Sequence, residues 1–255
     1  MMGALPNHSR WNEPLVGYLF GHLLHGRAAH RPEKQNFILA SELAETWLPS
    51  VRSLVLEGAG ARFPERVRGG HVVIKEPHGT VGAPVLMQAL PESGLVLLVR
   101  DPRDVVASAL NAPLASPKGV PRARIKGAER RRRGSDSRPR LVKARARGYR
   151  SDIESATRAF QEHRGRKALV RYEDLWADTP GALRRIYASL EIPVGERPLA
   201  DAVERFAWEN QPGKARGRAG PGWRHDLSPE EVAIVERETS GILEGFYAAT
   251  PSAAS

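Results

Sequence analysis

The segment Gly94-Leu95-Val96-Leu97-Leu98-Val99-Arg100-Asp101-Pro102 constrains the fold of this chain more than any other. Five apolar residues in succession, with no polar residue among them, suit a strand buried on both faces, as in a parallel sheet. Asp101 then fits a helix N-cap, Pro102 the first helical position and Asp104 the third, where a carboxylate meets the positive end of the helix dipole. A buried strand that runs directly into a capped helix is the unit from which layered α/β folds are built.

The pattern recurs. His71-Val72-Val73-Ile74-Lys75 is β-branched, with Gly69-Gly70 before it and Pro77 after it, and Ala168-Leu169-Val170 is closed by Arg171-Tyr172. Tyr149, Ile153, Ala156 and Phe160 mark a helix leading into that third strand. Thr179-Pro180 opens another, with Leu183, Ile186, Tyr187 and Leu190 on one face. Ser228-Pro229-Glu230-Glu231 is a capping box, continued by Val232, Val235, Ile242 and Phe246. The alternation predicts an α/β fold, a parallel central sheet with helices on both faces and right-handed crossovers. Residues 1–50 read as loop and helix: Leu15, Leu19, Leu23 and Leu24 recur at helical spacing, as does the stretch Ser41 to Leu48. Val51 to Leu56 is apolar but too short to assign, and there is no internal repeat.

At 255 residues, 41% hydrophobic and 27% charged, the chain suits one soluble globular domain spanning 1–255. It has no apolar run of 18 residues, so no membrane contact is expected, and its first residues lack the layout of a secretory signal. With no cysteine there are neither disulfides nor thiolate metal sites, and the composition suits a reducing cytoplasm. His22, His25 and His30 have no carboxylate cluster to complete a metal shell, so no metal is expected. The net charge of +10 is concentrated: residues 115–148 hold 13 Lys and Arg against Glu129 and Asp136, leaving the remainder of the chain close to neutral. That tract, rich in Arg, Gly, Ser and Pro, reads as a basic, mobile insertion rather than one part of a basic nucleic-acid-binding surface.

The chemistry concentrates at the end of the second apolar run. The strand delivers Arg100 to its C-terminal edge, where ligands of open α/β sheets bind, and the following helix points free N–H groups into the same space. Arg100 offers a planar fork and Ser108 a hydroxyl donor, both suited to phosphate. A structural Arg–Asp ion pair around a βα turn accounts for the residues equally well.

Leu98-Val99-Arg100-Asp101-Pro102-Arg103-Asp104, with Ser108 eight positions after Arg100, resembles the 3′-phosphate-binding segment of the sulfotransferase family. Three further segments agree in order. Val73-Ile74-Lys75-Glu76-Pro77, followed by Leu90-Pro91, resembles the family's second strand. Leu169-Val170-Arg171-Tyr172-Glu173-Asp174-Leu175 resembles its Tyr-Glu-Asp segment, and Gly217-Arg218-Ala219-Gly220-Pro221-Gly222-Trp223-Arg224 its late Gly-rich basic loop. The likeness spans residues 71 to 240. It implies a P-loop NTPase-like sulfotransferase fold. The implied co-substrate is 3′-phosphoadenosine 5′-phosphosulfate, held by Arg100, Ser108, Tyr172, Arg216, Arg218 and Trp223, and no metal takes part. The acceptor would be a small molecule or glycan, with nucleic acid not expected as partner and no oligomeric state implied.

In that family an acceptor hydroxyl or amine attacks sulfur in line, a His or Glu takes its proton, and a Lys stands near the bridging oxygen. By resemblance Lys75 is the cation, and Glu76, His78 and Glu13 are rival bases. The spacing departs from the cytosolic enzymes, in which the His follows the Lys by two positions; Pro77 stands there in this chain. The family's Gly/Ser/Thr-rich loop for the 5′-phosphosulfate has no counterpart in these residues, nor does G-x-x-x-x-G-K-[ST]. The expectation is therefore a chain starting downstream of that loop and its strand, inactive by itself. The alternatives are a non-catalytic protein binding phosphoadenosine nucleotides, a kinase-like enzyme lacking its lysine loop, and a nucleic-acid binder acting through residues 115–148.

Overall fold

The computed structural model describes residues 1–21, 38–40, 43–77, 79–111, 137–206 and 222–247. The expected strands form where the apolar runs stand: β2 at His71–Lys75, β3 at Leu95–Val99 and β4 at Lys167–Arg171. One further strand, β1 at His8–Asn12, precedes them. It pairs in parallel with β2, His8 opposite His71 and Asn12 opposite Lys75, while β3 pairs with β4. The α/β class and the parallel strands are as the sequence predicts; among the described residues the pairing runs in two two-stranded ribbons.

The helices are α1 (16–21), α2 (Ala44–Arg62), α3 (Ala83–Ala89), α4 (Pro102–Asn111), α5 (Ser137–Glu162), α6 (Tyr172–Ala177), α7 (Thr179–Ser189), α8 (Glu196–Arg205), α9 (Trp223–Asp226) and α10 (Pro229–Tyr247). The chain divides into two units: residues 1–98 with 152–213, and residues 99–151 with 214–255. The first half of α5 thus belongs to the second unit and its second half to the first.

Two cores hold the first unit. In one, Val16 and Phe20 of α1 meet Trp47, Val51 and Val55 of α2, together with Ala89 and Leu90. The spacing of four on each helix puts these side chains on one stripe. Close approach of backbones adds to this contact: a Cβ on Gly17 would run into Gly79 and one on Gly82 into Gly17, so α1 reaches the loop after β2 only because these positions carry no side chain. In the other core, Ala168 and Val170 of β4 pack on Leu183, Ile186 and Leu190, with Leu199 of α8 beneath them. Tyr187 is buried beside Leu5 and Ala202, and burial pushes its phenol up to about 12. The second unit has its own core, made by Val106 and Ala107 of α4, Val142 and Ala146 of α5, and Leu227 and Val235 around α10.

Five readings of the sequence change. Residues 8–12, read as loop, form a strand, although Trp11 is its one large apolar side chain; the ladder to β2 and the His8–His71 ring pair, 4.7 Å apart, hold it. On α1 the buried positions are Val16 and Phe20, whereas Leu15 and Leu19 are nearly half exposed. The strands β3 and β4 bury one face only: Leu97, Val99, Ala168 and Val170 point into protein, while Leu98 and Leu169 are 50% and 48% exposed. Val51 to Leu56 is helix, carried by the period of Trp47, Val51 and Val55. The last part of the basic tract, residues 137–148, is also helix, with Arg138 on Glu231 at 2.6 Å, Arg147 on Glu238 at 2.8 Å and Lys143 on Glu238 at 3.6 Å.

Candidate active site

In the second unit the turn from β3 into α4 has the predicted cap. The Arg103 N–H donates to Asp101 Oδ1 at 2.8 Å, Pro102 fills the first helical position and Asp104 lies in the first turn. The Arg103 guanidinium grips Asp101: Nη2 donates to Oδ2 at 2.7 Å and Nε to Oδ1 at 3.0 Å, and Nη1 reaches Glu236 at 3.0 Å. The Asp101 bond raises the Arg103 pKa further above its already high ordinary value. The turn therefore carries two Arg–Asp ion pairs, a close forked one from Arg103 to Asp101 and a longer one from Arg100 to Asp104.

Arg100 sits differently. Its side chain is 34% exposed and its Nη2 stands 3.8 Å from Oδ2 of Asp104, whose own side chain is 8% exposed. Its carbonyl accepts a 2.5 Å hydrogen bond from the Tyr149 hydroxyl of α5. Ser108 is exposed, four residues after Asp104 on α4 and so on the same helix face. Trp223 enters this neighbourhood through its backbone, donating its N–H to Asp104 Oδ1 at 3.0 Å. Its ring lies under Arg103, 4.3 Å from the guanidinium carbon, with Arg224 at 5.5 Å.

In the first unit the parallel pair β1–β2 ends on Asn12 and Lys75. Lys75 Nζ donates to Glu13 Oε1 at 2.8 Å, and the Glu13 N–H donates to the Lys75 carbonyl at 2.9 Å. Both side chains are about half exposed. Glu13 (φ 53°) and Leu15 (φ 64°) hold left-handed backbone on either side of Pro14, a conformation that costs a non-glycine residue on the order of 1–3 kcal/mol and clusters at functional sites. Glu76 has other work: its Oε1 accepts the Tyr18 N–H at 2.7 Å, at the start of α1. Tyr172 opens α6 directly after β4, and Arg171 beside it forks onto Asp174 at 2.7 and 2.8 Å.

The structure thus groups Arg100 and Trp223 around Asp104, and separately Glu13 with Lys75. His78, Arg216 and Arg218 lie outside the described residues, as do His22, His25 and His30. Asp104 was read from the sequence as a helix-start residue and Arg103 was given no role; their contacts with Trp223 join positions 119 and 120 apart in the chain, which no local pattern signals. Among the described residues no group of three or more His, Asp or Glu could hold a metal ion, and no helix is long and apolar enough to cross a membrane.

Compared with known proteins, residues 5–196 match a family model described as the sulfotransferase family. A solved structure, the sulfotransferase domain from the curacin biosynthetic pathway, aligns over 91% of this chain and 95% of its own, at 14% identity and a TM-score of 0.45, a likeness too loose to argue from. No curated protein matches.

Proposed function

Since this chain belongs to the sulfotransferase family, we propose that it transfers a sulfuryl group from 3′-phosphoadenosine 5′-phosphosulfate to a hydroxyl or amine of a small-molecule or glycan acceptor. The observation that carries this reading is the division of labour at the β3–α4 turn. Arg103 is bound to Asp101, while Arg100, paired with Asp104 at 3.8 Å, stands at the strand end with a part-exposed fork, beside the N-terminus of a ten-residue helix bearing Ser108. An arginine fork, a helix start and a hydroxyl are the donors that a ribose 3′-phosphate needs. Tyr172 is proposed to border the adenine, and Trp223, with Arg216 and Arg218, to act on the phosphate side.

For the transfer step, Glu13 is the better base of the two described carboxylates. It is solvent-accessible and sits on Lys75, whereas Glu76 is engaged by the α1 backbone. Its carboxylate would take the acceptor proton as oxygen or nitrogen attacks sulfur, while the Lys75 ammonium meets negative charge developing on the leaving group. The nucleic-acid reading loses support, because three cations of the basic tract are spent on Glu231 and Glu238.

Titration calorimetry with adenosine 3′,5′-bisphosphate tests the reading. Wild type should bind at about micromolar or tighter, near −8 kcal/mol, and Arg100→Ala should lose most of that. Glu13→Gln should bind as wild type does but transfer at least about 100-fold more slowly. Unchanged binding in Arg100→Ala would overturn the assignment.

A further inference from the structure

Asp104 meets both Arg100 and the Trp223 segment. It is buried, and its two oxygens face different elements: Oδ2 stands 3.8 Å from Arg100 Nη2 at the end of β3, and Oδ1 accepts the Trp223 N–H at 3.0 Å at the start of α9. A buried carboxylate is costly unless charges and donors satisfy it, and these two supply part of what it requires. Trp223 is itself fixed from the other side. Arg103 covers its ring at 4.3 Å, and Arg103 is clamped by Asp101 and Glu236. The carboxylate is therefore oriented before any ligand arrives, by a backbone N–H that cannot swing away while Trp223 stays under Arg103.

We infer that Asp104 is a positioning residue of the nucleotide site: it selects the rotamer in which the Arg100 fork faces a 3′-phosphate, and it ties that rotamer to the placement of the Trp223 segment. This rests on the reading of Arg100 given above and goes beyond it, because it gives Asp104 a role through Arg100 and not through contact with the nucleotide. A part-exposed arginine at a strand end has several rotamers, and a ligand must otherwise pay the entropy of choosing one. The guanidinium is planar, so aiming it matters more than aiming an ammonium would.

The test compares two probes, adenosine 3′,5′-bisphosphate and adenosine 5′-phosphate, on wild type, Asp104→Asn and Arg100→Ala. Asparagine keeps an oxygen for the Trp223 N–H but removes the charge that orients Arg100. For Asp104→Asn the bisphosphate dissociation constant should rise about tenfold while that for adenosine 5′-phosphate changes by less than about twofold. An equal loss on both probes would mean that Asp104 only maintains the fold. No change, or tighter bisphosphate binding, would mean that it is idle or competes with the phosphate for Arg100. Each of these three results overturns the inference. Arg100→Ala reports separately on the underlying assignment: bisphosphate affinity that survives it defeats that assignment, whereas its loss alongside an unchanged Asp104→Asn defeats only the positioning role. If Asp104→Asn lacks a cooperative thermal transition, Asp104→Glu serves instead. It keeps the charge and lengthens the reach, and the loss should again fall on the bisphosphate alone.

Discussion

Arg100 and Arg103 stand three residues apart on one turn with opposite assignments, and the difference is set by which carboxylate each can reach. Arg103 is held on Asp101 and Glu236 and stiffens the helix start; Arg100 faces Asp104 across 3.8 Å and keeps a part-exposed fork. A second pair of like residues, His8 and His71, makes a prediction at this scale. The rings lie 4.7 Å apart across β1 and β2, with Tyr187 edge-on to His8 at 5.5 Å. Desolvation first, then His8 and Arg166, hold the His71 pKa below its ordinary value of 6.5. The folded state therefore prefers neutral imidazole, while the unfolded chain binds the proton. The stability that the neutral His71 contributes is complete above about pH 6.5 and is lost as pH falls through the depressed value. Thermal melts between pH 7.5 and 5 should show it, and His71→Gln should flatten that slope; an equally steep slope in the variant would refute the assignment.

Helix starts were the most readable elements, because a cap is a local bargain between one side chain and backbone N–H groups two or three residues on. Asp101 caps α4 as its sequence predicts, and Ser228 and Glu231 exchange bonds at α10, Ser228 N–H to Oε2 at 2.9 Å and Glu231 N–H to Oγ at 3.3 Å. Asp178, not singled out from the sequence, caps α7 by accepting the Gly181 N–H at 2.9 Å. Asp178→Ala should therefore cost about 1 kcal/mol in chemical denaturation, and a loss below about 0.3 kcal/mol would show the cap to be idle. Strand β1 was not readable. Its residues lack an apolar alternation, and what makes them a strand is the edge of β2, 63 residues away in the register. The double-sided burial expected of β3 and β4 failed for a related reason: an apolar run shows what a strand can bury, not what arrives to cover it.

For the chain as a whole, each unit carries a core of its own, and stability should follow those cores rather than the surface ion pairs, which are worth about 0–1 kcal/mol each. Leu199 of α8 is 1% exposed under β4 and α7, so Leu199→Ala should cost about 2–5 kcal/mol in a denaturant titration. A cost under about 1 kcal/mol would mean that α8 is not part of that core. The sequence by itself determined the α/β class, three of the four strands among the described residues, most of the capped helices and the placing of Arg100 before a helix start, because each depends on neighbours within a few residues. Only the tertiary structure decided that Arg103 would reach Glu236 as well as Asp101, that Glu13 would meet Lys75 while Glu76 served α1, and that Asp104 would join Arg100 to Trp223. The contacts Tyr18–Glu76, Glu13–Lys75, Asp104–Trp223 and Arg103–Glu236 join positions 58, 62, 119 and 133 apart, and a hydrogen bond leaves no periodic mark along the chain that makes it.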